Sequence, residues 1–172
     1  MSSVVISGDT SGAVTLTVPS VAGTNTVTVA AQTGTLNAAG PAVHAMAGGA
    51  QTVNNVTATK ITLVEDFDTN SNYATSRFTP TVDGYYQVNA SIGATAGTSL
   101  SYVRTMIYKN GTSYTYAYGA PRNNTSGYAP MSDIVYCNGS TDYIELYCYI
   151  SGSGTLTITN ETFFSACLVR GA

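Results

Sequence analysis

Residues 101–120, SYVRTMIYKNGTSYTYAYGA, set Asn110-Gly111 between two runs rich in β-branched and aromatic residues. Asn-Gly readily takes the left-handed backbone of a type I′ turn, whose twist matches that of two antiparallel strands. The stretch is read as a hairpin, and its pattern recurs along the chain. In MSDIVYCNGSTDYIELYCYI (131–150) two strands flank Asn138–Thr141; in the second, Ile144, Leu146, Cys148 and Ile150 alternate with Tyr143, Glu145, Tyr147 and Tyr149. RFTPTVDGYYQV (77–88) reads as a strand, a tight turn at Asp83-Gly84 and a second strand, with Pro80 at a strand end. Beyond that turn Tyr86, Val88, Ala90 and Ile92 share one face, and Tyr85, Gln87, Asn89 and Ser91 the other. TATKITLV (57–64) alternates as a strand, residues 65–76 read as a polar loop, and Pro41–Ala47 reads as the first strand of the main body. TLTITN and TFFSACLVR close the chain. No segment sustains a helical period, so many short strands at close spacing predict an all-β sandwich or jelly roll.

The first 37 residues differ from the rest, with no Tyr, Phe, Lys or Arg. SGAVTLTVPS and AGTNTVTVAA match at an offset of eleven, aligning Gly12 with Gly23, Leu16 with Val27 and Val18 with Val29. Val14, Leu16 and Val18 alternate with Thr, as a half-buried strand requires. Two such strands, paired or extended, are marginal alone in water and need another surface to cover them. Fully extended, this segment would reach on the order of 120 Å. The expected division is therefore an N-terminal arm, 1–37, and a globular domain, 38–172.

Composition narrows the function. Charged residues make up 9% of the chain, against roughly 25% in ordinary soluble domains. A surface kept wet by hydroxyls and amides repels its own copies weakly, which favours uncharged assembly contacts. The six Lys and Arg are scattered in a chain of net charge −3, so phosphate neutralisation along a nucleic acid is not expected. No apolar run approaches a membrane span, and the first residues lack the features of a secretory signal. Cys137, Cys148 and Cys167, an odd count without CxxC spacing, read as small buried hydrophobes. The Asn-x-Ser/Thr sequons at Asn55, Asn110, Asn123, Asn124, Asn138 and Asn160 read as by-products of a Thr- and Asn-rich chain.

No catalytic constellation is legible. His44, the only histidine, reads as a strand side chain at a surface or interface. EDFDTN spaces Asp66, Asp68 and Asn70 as a calcium loop would, but Ser71 stands where that loop needs Gly and Arg77 where it needs Glu. GxSxG, HExxH and phosphate-loop motifs are absent from the sequence. The tyrosines are more informative: Tyr114, Tyr116 and Tyr118 alternate on one strand, and Tyr143, Tyr147 and Tyr149 on another. Tyr brings flat apolar area and a hydroxyl, which suits subunit contacts and saccharide stacking alike.

Five stretches together carry a resemblance: PAVHAMAGGAQTVNNVTATKI, EDFDTNSNYATSRFTPTVDGYYQVNASI, IYKNGTSY, YCNGSTDYIELYCYI and FFSACLVRGA. From Pro41 onward the chain resembles the jelly-roll head shared by the complement recognition subunit and tumour necrosis factor, in the version found in virion proteins of tailed bacteriophages. His44-Ala45 departs from the Phe-Ser-Ala frequent in that family. The segment DTSGAVTLTVPSVAGTNTVTVAAQTGTL resembles one common ahead of such domains in phage structural proteins. The resemblance implies a ten-stranded jelly-roll sandwich, trimeric, with an extended β-rich N-terminal arm. It implies binding or structural duty without catalysis or cofactor, and it places Tyr85, Gln87 and Asn89 toward the trimer contacts. The calcium sites of animal relatives have no matching acidic motif here.

The function expected first is a capsid decoration, or cement, protein on the virion exterior. Its homotrimeric knob would stabilise the shell through arms that bind the major capsid protein with Val14, Leu16, Val18, Val27 and Val29. The alternative is a tail-fibre or receptor-binding tip gripping a host-surface saccharide through Tyr143, Tyr147 and Tyr149. The short segment ahead of the globular part, in place of a long repetitive shaft, favours the first.

Overall fold

The computed structural model describes residues 3–7, 13–17 and 40–172. The chain divides into two units, Met1–Thr33 and Gly34–Ala172. In the first, β1 (Ser3–Ser7) and β2 (Ala13–Thr17) pair antiparallel, with Val4 opposite Leu16 and Ile6 opposite Val14. The partner of the Val14–Leu16 strand is thus a segment that the eleven-residue repeat does not include. Val18, Val27 and Val29 lie outside the described residues.

The second unit is a sandwich of two antiparallel sheets. Its strands are β3 (Ala42–Met46), β4 (Gln51–Val53), β5 (Thr59–Lys60), β6 (Val64–Asp68), β7 (Tyr73–Ala74), β8 (Arg77–Phe78), β9 (Asp83–Ala96), β10 (Ser99–Lys109), β11 (Thr112–Gly119), β12 (Ser126–Asn138), β13 (Ile144–Ser153), β14 (Leu156–Ile158) and β15 (Phe163–Gly171). One sheet, here the tyrosine sheet, runs β11-β10-β13-β8-β7 with β5 also on β13. The other centres on β9: β12 covers one edge, while β15 and β14 share the opposite edge and continue to β3-β6 and β4. The ten-stranded expectation resolves into a finer partition, because β4, β5, β7, β8 and β14 are only two or three residues long.

Alternation fixes which side of each sheet is dry. Tyr86, Val88, Ala90 and Ile92 of β9 point inward, toward Leu146, Cys148 and Ile150 of β13 and Val103 and Ile107 of β10. The Phe78 ring meets Tyr86 edge-on at 5.6 Å, and the Tyr86 hydroxyl donates to the Val82 carbonyl at 2.6 Å. A buried aromatic hydroxyl with a partner keeps its desolvation cost small.

The Asn110-Gly111 turn forms as read, with φ of 54° and 76°. Three other readings need correction. Asp83-Gly84 is not a hairpin turn: β8 pairs with β13 and β9 with β12, so this stretch crosses between the two sheets. Gly84 lies inside β9 because a Cβ there would come 2.4 Å from the Arg170 carbonyl oxygen. In 57–64 only Thr59–Lys60 joins a ladder before Val64 begins β6, although Ile61 and Leu63 are buried. Residues 65–76 are not simply a loop, since β6 and β7 fall within them; Val64, Glu65, Asp66 and Phe67 are all exposed, so no alternation betrays that edge strand.

Asparagine has a structural use throughout. Asn138 Oδ1 accepts the N–H groups of Ser140, Thr141 and Asp142, and Asn123 Oδ1 accepts those of Thr125 and Ser126. Asn110 Oδ1 accepts Tyr143 N–H while its Nδ2 donates to Asp142. Such side chains imitate backbone turns, which explains the frequency of sequons in loops.

Candidate functional site

Each sheet turns one face outward, and the two faces differ in chemistry. On the β9 sheet, Tyr85, Gln87 and Asn89 point away from the core, as alternation requires. Gln87 Nε2 donates to Ser132 Oγ at 2.8 Å and to the Asp133 carbonyl at 3.1 Å; Ser132 Oγ donates to Asn89 Oδ1 at 2.8 Å. This row holds both amides in place. Around it stand exposed apolar side chains: Tyr85 beside Tyr136 with ring centroids 5.5 Å apart, Ile134, Val169 and, farther along, Met46 and Phe67. Tyr85, Ile134, Val169 and the last three residues line a depression of about 520 Å³.

His44 lies on this face as well. Its ring is 6.0 Å from Phe67 and 6.2 Å from Phe163, and Nδ1 is 3.2 Å from Asp66 Oδ2. Asp68 is spent on backbone N–H groups of Asn70 and Tyr73. Asp66 and Asp68 of EDFDTN are thereby turned to local architecture, while Glu65 is exposed. Cysteine placement splits: Cys137 and Cys148 are buried, but Cys167 is exposed on β15, contrary to the expectation of three buried thiols. Burial raises the Cys137 thiol to about 11 and the Cys148 thiol to about 12.

The tyrosine sheet carries the other face. Tyr102, Arg104, Met106 and Tyr108 of β10 face outward, and the register aligns them with neighbours on both sides. Tyr118 of β11 and Tyr149 of β13 flank Arg104; Tyr116 and Tyr147 flank Met106. Met106 is 7% exposed yet lies outside the inner core, beneath those rings. The Arg104 guanidinium carbon is 4.1 Å from the Tyr118 ring centre, 4.8 Å from Tyr149, 5.3 Å from Tyr102 and 5.4 Å from Tyr116. Tyr108 and Tyr147 stack at 3.8 Å.

At the lower end of this face Glu145, 3% exposed, receives Lys60 Nζ at 2.8 Å and Arg77 Nε at 2.9 Å, while Arg77 covers the Tyr143 ring at 3.8 Å. Desolvation pushes the Glu145 carboxyl up, but the hydrogen bonds and charges of Lys60 and Arg77 outweigh it, and its pKa lies below the ordinary value. Lys109 and Asn110 hold Asp142 low by hydrogen bonding.

Tyr143, Tyr147 and Tyr149 therefore share one outward face, as the sequence alternation indicates. Arg104 at its centre was missed. The only local signal was its position two residues from Tyr102; its contacts with Tyr118 and Tyr149 arise from sheet register. Glu145, which in sequence looks like one scattered acid, is the anchor for two cations.

No family model matches the sequence, and no curated protein matches it. Solved structures do match in shape. The globular domain of zebrafish complement 1qA protein superposes with a TM-score of 0.53 at 11% identity, covering 77% of this chain and 99% of that one. Eiger TNF from S. frugiperda gives 0.57 at 10% identity, covering 77% and 95%. PRD1 vertex protein P5 gives 0.57 at 13% identity, covering 77% and 99%. The likeness is one of fold: the sandwich is a jelly roll of the complement 1q and tumour necrosis factor type.

Proposed function

We propose that the globular unit assembles as a three-fold homotrimer through the outward face of the β9 sheet, and that the trimer is a virion structural protein decorating a capsid exterior. The observation that carries this reading is the face around Tyr85, Gln87 and Asn89. Gln87 Nε2 and Asn89 Oδ1 are already hydrogen-bonded within the chain, so only the other half of each amide needs a partner across the contact. Its rim of Tyr136, Ile134 and Val169 supplies apolar area of the kind that marks protein–protein surfaces. The low charge of the chain places little repulsion between copies.

The shape shared with PRD1 vertex protein P5 and the resemblance of the quoted stretches to phage virion proteins support the virion setting. In this reading residues 1–37 form the arm that contacts the major capsid protein, with Val14, Leu16, Val18, Val27 and Val29 as its apolar positions. Three weak arms on one knob bind far more tightly than one. The role is binding and structural, without catalysis or cofactor. Quantitative mass spectrometry of purified virions tests it: decoration requires a copy number that scales with the capsid surface.

The tyrosine face favours a second reading, a fibre or receptor-binding tip that recognises host-surface saccharide. A copy number fixed by the tail would select that one.

A further inference from the structure

The tyrosine sheet holds an unused cation. Lys60 and Arg77 both pair with Glu145, and Lys109 pairs with Asp142. Among the described residues Arg104 has no carboxylate within 4 Å, and its buried Nε has no hydrogen-bond acceptor. Rings hold the guanidinium without satisfying its N–H groups, because a π face offers charge stabilisation but no lone pair directed at each donor.

Charge is also divided between the sheets. The outward side of the tyrosine sheet carries Lys60, Arg77 and Arg104 against Glu145, with Lys109 paired to Asp142 at its end; strands of the β9 sheet carry Glu65, Asp66, Asp68, Asp83 and Asp133 against Arg170. A chain of net charge −3 thus presents a basic aromatic face on one side.

We infer that this face is a binding site for an acidic saccharide, with a sugar carboxylate on Arg104 and pyranose rings on the flanking tyrosines. Tyr116 and Tyr118 are more than half exposed, at 54% and 57%. The apolar faces of sugar rings suit such surfaces, and their hydroxyls suit the phenolic rim. Tyr118 and Tyr149 stand one strand to either side of Arg104, a backbone span of about 10 Å, which suits a short run of sugars rather than one ring. A single uncommitted guanidinium fits a ligand with sparse negative charge. Single-stranded nucleic acid, which bears a phosphate at every residue, asks for a track of cations that this face lacks. The inference rests on the saccharide reading of the tyrosine face; because the site is on the sheet opposite the proposed trimer contacts, its failure leaves the trimer and the decoration reading standing.

The test uses the full chain and a panel of uronic-acid and sialic-acid oligosaccharides, each paired with its carboxyl methyl ester. A single-stranded oligonucleotide serves as competitor. The acids are expected to bind, and esterification to weaken binding about tenfold or more, the size of a lost charge-assisted hydrogen bond. Arg104→Met is expected to abolish the preference for acid over ester, and Tyr149→Ala to weaken both forms, with melting temperature and circular dichroism followed alongside. Equal affinity for acid and ester in the unmodified chain would overturn the inference, as would no binding across the panel or displacement of every acid by the oligonucleotide. The acid–ester comparison needs no variant, so a poorly folding substitution leaves the test intact.

Discussion

The Thr105 hydroxyl accepts the Ile92 N–H at 2.9 Å and so joins β10 to β9 through the middle of the core. It also donates to the Ala129 carbonyl of β12. One side chain therefore ties the two sheets together where no water reaches.

Thr105→Val preserves shape but leaves a buried donor and acceptor without their partner. A loss of about 1–3 kcal/mol per orphaned group is expected. Urea unfolding measures it, and Thr105→Ser, which keeps the hydroxyl, is expected to lose less. An unchanged midpoint for the valine variant would mean that the strand ladders alone satisfy both groups.

Glu145 gives the stability a defined acid limb. Its folded pKa lies below the ordinary value, so the unfolded chain takes up its proton first as pH falls. The stabilisation is fully present above about pH 4.3, the unfolded value, and is lost as pH drops through the lower folded value. Glu145→Gln is expected to cost about 1–3 kcal/mol at neutral pH and to flatten that limb. Denaturation midpoints across the acid range would show an unaltered slope if Lys60 and Arg77 contributed nothing.

Tyr85→Asp places a charge in the proposed trimer contact and is expected to yield folded monomers in analytical ultracentrifugation. Retention of the trimer would remove the β9 face from the interface.

Cys167 offers an independent reading of the same face. A thiol-specific reagent is expected to modify it in the monomer, while Cys137 and Cys148 stay silent until unfolding, because burial raises both thiols far above neutral pH. Protection of Cys167 on assembly is the expected signature of the trimer. Full labelling of an intact trimer would count against that geometry.

Removal of residues 2–36 is expected to leave the globular unit folded and trimeric while binding to shells is lost. Truncated protein that still coats particles would assign the capsid contacts to the globular unit.

Local chemistry made much of this fold readable. Asn110-Gly111 declared its hairpin, and the alternation from Tyr85 to Ile92 assigned both faces of the central strand. Where the signal was equally local but the cause was not, the reading failed. Asp83-Gly84 has the composition of a turn, yet the glycine is required by a carbonyl from β15, nearly ninety residues away in the chain. Val64–Asp68 makes an edge strand with no buried side, so it shows no period. The tyrosine face was visible as two separate stripes. Its central arginine was not, because only strand register brings Tyr118 and Tyr149 to Arg104.

The turn asparagines restrict how this protein can be produced. Asn110 Nδ2 donates to Asp142 at 2.7 Å, and Asn138 Nδ2 donates to Thr141 at 2.8 Å. Attachment of an oligosaccharide to either nitrogen during passage through a eukaryotic secretory pathway would wedge open the turns that join β10 to β11 and β12 to β13. Material made there should show extra mass on intact-protein spectra and a lower melting point than bacterial material; Asn110→Asp would not rescue it, since it sets a carboxylate against Asp142, whereas Asn138→Asp keeps the oxygen that accepts Ser140, Thr141 and Asp142.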